Sequence, residues 1–143
     1  MIRQQDIIAL AIRLAAPDRT LFHFLVNRDG AIQRQGSARL RDPIAALHVG
    51  VTREPIFQHL VDELPAEILE QPGSYEIPGG GTRLVLTIDL WTETASQHMA
   101  IAYGATGEGP PGEIVRFVVR AREWSEGWYR QVLEPATGAA SPK

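Results

Sequence analysis

Apolar residues recur along this chain in two rhythms, one helical and one alternating. Between residues 3 and 15, Ile7, Leu10, Ala11 and Leu14 repeat at three- and four-residue spacing. Ile8, Ile12 and Ala15 widen the stripe, which predicts an opening amphipathic helix stopped at Pro17-Asp18. Residues 20–26 then switch to β-branched and aromatic types, with Phe22, Phe24 and Val26 on the more apolar face. Asn27-Arg28-Asp29-Gly30 is a turn with glycine where positive φ is favoured, and 31–35 returns as the second strand of a hairpin.

The middle of the chain reads as helical. Asp42-Pro43 pairs a capping carboxylate with proline at the first helical position, predicting a short helix through Leu47. A second helix is expected over 52–64, with Ile56, Phe57, Leu60, Val61 and Leu64 as its stripe and Pro55 in its first turn. Pro65 begins a further helical turn that Pro72-Gly73 stops.

Alternation dominates from residue 74 onward and predicts an antiparallel meander. Ser74–Ile77 forms a short strand, turning at Pro78-Gly79-Gly80-Gly81. Over 82–93, Leu84, Leu86, Ile88 and Leu90 alternate with Val85, Thr87, Asp89 and Trp91, so one face meets the core and the other water or a partner. A strand over 98–103 and a glycine-rich loop over 104–112 follow. Residues 113–122 alternate again, with Ile114, Arg116, Val118, Arg120 and Arg122 on one side. Trp124–Trp128 suits a hairpin turn with Gly127 at its tip, making 128–133 an edge strand. A helix over 125–133 is the competing assignment. The fold class read from these elements is α+β: short helices on a mostly antiparallel sheet built from an N-terminal hairpin and a C-terminal β-meander. Residues 1–134 are expected to form a single domain, and the Ala/Thr/Gly/Ser/Pro composition of 135–143 predicts a flexible tail.

Composition changes this picture mainly by exclusion. The chain of 143 residues has no cysteine, which removes disulfides, thiolate nucleophiles and Cys-ligated metal, and fits a reducing cytoplasm. No apolar run reaches the ~20 residues of a membrane span, and Asp6 and Arg13 break up the start as a secretory signal. The net charge of −3 is segregated: residues 1–41 carry +4, residues 42–113 carry −9, and the remainder carries +2. Such segments can pair with one another or orient a partner by their field.

Candidate chemistry is sparse. Gly104–Gly109 lacks the lysine of a Walker loop and has no helix predicted behind it, so it reads as a loop. The four histidines form no metal-ligand spacing, and no metal or other cofactor is expected. His59 stands one helical turn before Asp62 and Glu63, and either carboxylate could orient it as a general base. Asp89 and Glu93 share a strand face but lie ~13 Å apart at the backbone, too far for a paired-carboxylate hydrolase. The strongest feature is a predicted outer sheet face gathering Trp91, Arg116, Arg120 and Arg122, with Trp124 and Trp128 at its hairpin end. Arginine and tryptophan are the types that concentrate interface energy. The sequence thus points to a small non-catalytic binding or accessory protein, engaging a protein partner or a second copy of itself. Nucleic acid is a minor branch, since no RNP-type aromatic motif accompanies the arginines. The alternative is a small enzyme or ligand-binding domain with His59 or His98 as general base and the 104–112 loop as lid.

Overall fold

The computed structural model describes residues 2–37 and 45–133. Seven strands make one sheet: β1 (Ala9–Ala16), β2 (Arg19–Asn27), β3 (Ala31–Gly36), β4 (His48–Val51), β5 (Gly73–Glu76), β6 (Arg83–Trp91) and β7 (Ser96–Gly104). Their spatial order is β4-β3-β2-β1-β6-β7-β5. Three helices accompany them: α1 (Ile56–Asp62), α2 (Ala66–Glu70) and α3 (Gly112–Leu133). The fold is α+β on a mostly antiparallel sheet, as the alternation predicted; the one parallel pair is β5 with β7. No described helix is long and apolar enough to cross a membrane.

The hairpin of β2 and β3 forms as expected. Gly30 has φ +92°, and a Cβ there would lie 2.5 Å from the Thr52 carbonyl oxygen, so only glycine fits the turn. The Asn27 carboxamide oxygen accepts from the backbone N–H of Asp29 and Ala31, both at 3.0 Å, closing the loop locally.

Three predicted elements change type. The expected helix over 3–15 is instead a single 3₁₀ turn, Gln4–Asp6, followed by β1. Every residue from Ile7 to Ile12 is apolar, so helical and alternating periods fit equally well. The decision is tertiary: β1 lies between β2 and β6 and forms antiparallel ladders with both. Leu10, Ile12 and Leu14 then face the core, while Arg13 faces the opposite side. Conversely, the strands expected over 113–122 and 128–133 are one 22-residue helix. Its buried residues Ile114, Phe117, Ala121, Ser125, Trp128 and Tyr129 recur at helical spacing across about four turns. Gly127 lies within this helix, not at a hairpin tip.

Smaller corrections concern boundaries. The helix over 52–64 contracts to α1, with Pro55 as its N-cap. The helix expected from Asp42 falls largely outside the described residues, and 45–47 form neither helix nor strand. The strand read over Ser74–Ile77 is β5, but it lies at the sheet edge beyond β7 rather than beside β6. The tail from 135 lies outside the described residues.

All three helices pack on one face of the sheet. Their buried side chains join those of β1, β2, β3, β6 and β7 in one hydrophobic cluster that includes Phe22, Phe24, Ile56, Leu60, Ile68, Phe117 and Trp128.

Candidate interaction surface

The face opposite the helices is laid out by strand register. One row across it runs Val49, Gln33, Leu25, Ala11, Asp89, His98. The next runs Val51, Ala31, Asn27, Ala9, Trp91, Ser96. On the other side lies the row Gln35, His23, Arg13, Thr87, Ala100. Alternation accounts for this: whatever does not point into the core points here. Val49 and Val51 are 66% and 72% exposed on the edge strand β4, while Leu25, Val85 and Trp91 are half-buried by their neighbours. No helix covers this face among the described residues, and its centre is lined by small side chains from β1 and β7.

Of the six residues the sequence gathered into one sheet face, only Trp91 is on this one. Because 113–133 is helical, the other five ride on α3 and are divided among separate contacts. Arg116 lines a shallow groove of about 430 Å³ together with Glu63, Pro65, Glu113, Phe117 and Arg120. Arg120 grips Glu63 with two hydrogen bonds of 3.0 and 3.1 Å and also reaches Glu123 at 3.2 Å. Its guanidinium lies 5.2 Å from the centre of the Trp124 ring. Arg122 donates to the Ser37 carbonyl oxygen at 3.3 Å. Trp128 is buried, and its ring packs so closely on Gly50 that a Cβ there would lie 3.0 Å from Cζ2.

His59 does not form the expected carboxylate pair. Its ring stacks on Trp124 at 4.0 Å and 6°, Asp62 accepts from the Gln58 side chain, and Glu63 belongs to Arg120. The hydrogen bonds from Arg120 hold the Glu63 carboxyl below its ordinary pKa, against a desolvation effect that raises it. The Trp124 N–H is buried without an acceptor in bonding geometry, yet its dipole adds a smaller lowering to Glu63. This cluster cements α3 to α1 and leaves His59 little chemical freedom.

His98 is different. It sits directly opposite Asp89 in the β6–β7 ladder, with Nδ1 2.6 Å from the carboxylate Oδ1. A carboxylate can only accept here, so Nδ1 carries a proton. The sequence reading named both residues without joining them. The signal was available in the hairpin loop 92–95, since counting back equally from its two ends pairs 89 with 98. The loop proposed as a lid begins about six residues further along β7, ~20 Å away by strand rise. It is held down there: Ala105 N–H bonds to Thr82 and Thr106 N–H to Gly80, while Gly104 and Gly107 pack backbone-to-backbone on Gly79. No Cβ would fit at Gly104, which explains the glycines without a phosphate.

The residue that sequence reasoning overlooked is Arg34, fully buried on the helix-facing side of β3. It donates to the carbonyls of Gly36 and Arg122 and to the Ser125 hydroxyl, pairs with Glu126 at 3.1 Å, and lies over the Tyr129 ring at 4.2 Å. Burial pulls its pKa down and Glu126 opposes the pull, so the charge is retained within a satisfied network. That role is architectural, joining α3 to β3.

Among the described residues no cluster of three or more His, Asp or Glu could hold a metal ion. No protein-family model matches the chain, and no curated protein matches it either.

Proposed function

We propose that this chain is a non-catalytic binding or accessory protein that docks a protein partner on the uncovered face of its sheet, acting in the cytoplasm. The observation that carries the reading is the one-sidedness of the sheet. Three helices crowd one face, while the opposite face presents Leu25, Val85 and Trp91 flanked by the exposed Val49 and Val51. Exposed and half-buried apolar side chains interspersed with polar ones on an uncovered sheet face are a mark of an interaction site. The two charges at its centre, Arg13 and Asp89, are of opposite sign, with Asp89 bonded to His98, which fits a protein surface better than a polyanion. Leu25→Asp and Trp91→Ala should each weaken retention of the partner by the immobilised full chain at least tenfold while leaving the melting curve in place. Retention that survives both substitutions would sink the reading.

A second reading rests on the Asp89–His98 pair, in which an oriented imidazole would serve as general base. Of the side chains beside it, Ser96, Ala100 and Thr87 are small and Trp91 alone is large, so a substrate would meet a wall on one side only. His98→Ala should abolish turnover on that reading and leave docking intact, so one substitution separates the two.

A further inference from the structure

We infer that the partner on this face is a second copy of the chain, stacked face to face about a twofold axis. The inference rests on the docking reading above and narrows it to one occupant. Size is the first argument. Six strand spacings of ~4.8 Å and strands of about seven residues on average give the face an area on the order of 650 Å² in projection. Side-chain relief brings that close to the ~800 Å² each partner contributes to a stable complex.

Charge is the second argument. Arg13 on β1 lies opposite Thr87, and Asp89 on β6 lies opposite Ala11, so the two charges occupy diagonal corners of one small rectangle. Arg13 is exposed, donates to Thr20 at 3.3 Å, and makes no ion pair among the described residues. A twofold axis bisecting that diagonal sets Arg13 of each copy over Asp89 of the other. One isologous contact thereby gives each Arg13 an ion partner and each Asp89, already bonded to His98 through Oδ1, a second donor, twice over. The other two corners, Ala11 and Thr87, lie near the axis, where small side chains let the sheets approach closely. Leu25 and Trp91 flank this centre and supply apolar area.

The test uses the full chain and its mass in solution, followed across concentration by sedimentation. The wild type should move from 15.8 kDa toward twice that mass as concentration rises. Arg13→Asp alone and Asp89→Arg alone should each raise the dimer Kd at least tenfold, because each sets two like charges against one another twice. An equimolar mixture of the two variants should recover wild-type dimerisation, since both contacts in the mixed pair are again opposite in sign. Recovery on mixing also excludes misfolding of either variant. A wild-type chain that stays monomeric, or variants that fail to rescue one another, would overturn the inference. If the monomer nevertheless retains another protein in a Trp91-dependent way, the second copy is excluded while the docking reading stands. If nothing is retained, both fall.

Discussion

The two faces of the sheet share the same strands yet obey different rules. On the helix side, Leu10, Ile12, Phe22, Phe24 and Ile32 are sealed under helices, and Arg34, fully buried there, has all three guanidinium nitrogens engaged. On the open side, Arg13, Asp89 and His98 tolerate water, and alanines take the places that large side chains hold opposite. The contrast teaches where the fold keeps its stability and where it keeps its capacity to bind. A substitution on the covered side should unfold the protein; one on the open side should leave it folded and alone.

The largest effect should come from Arg34→Ala. It removes a fully buried guanidinium from the half-exposed Glu126, takes away one of the bonds made by the Arg122 carbonyl and the Ser125 hydroxyl, and opens a cavity beneath Tyr129. A loss of about 3–5 kcal/mol is expected, read as a fall in the urea midpoint. Gly50→Val drives a side chain into the Trp128 ring and should cost about 1–3 kcal/mol by the same assay. Gly127→Ala should act in the other direction. A Cβ there meets nothing closer than Glu54 Oε2 at 3.9 Å, so a mid-helix alanine should add about 0.5–1 kcal/mol.

Electrostatics provides a subtler probe of the covered side. The Glu63 carboxyl is held below its ordinary value of 4.5 by Arg120, so its contribution is present above that value and is lost as pH falls through the lowered pKa. Both partners are about a third or more exposed, which limits the effect to under ~1 kcal/mol. Glu63→Gln should therefore be slightly less stable than wild type at neutral pH, and the difference should vanish in strong acid. The smallest expected stability change belongs to the open face. Read at concentrations where the chain is monomeric, Val85→Lys should move the midpoint by no more than ~0.5 kcal/mol, and a larger loss would mean this face is covered within the monomer.

Local chemistry made part of this legible in advance. The β2–β3 hairpin followed from Asn27 through Gly30, and β6 from four alternating leucine and isoleucine positions bounded by turns. Those patterns need only neighbouring residues to be read. The open face was legible as alternation in β6, but its membership was not, because membership depends on which strands lie side by side. Trp91 was placed there correctly; Arg116, Arg120, Arg122, Trp124 and Trp128 were not, since a ten-residue alternation over 113–122 also satisfies a helix.

The sequence by itself determined the class of fold, the β2–β3 hairpin, the absence of thiol chemistry and the apolar rows that had to be buried. It did so because turn residues and the period of side-chain burial act over a few residues. Only the tertiary structure decided that Ile7–Ala16 contains a strand and 112–133 a helix. Each segment admits both periods, and the choice went to whichever arrangement gave its apolar side a partner. β1 found two flanking strands to complete its ladders, whereas α3 found β3, β4 and α1 to receive Arg34's network, Trp128 and Trp124.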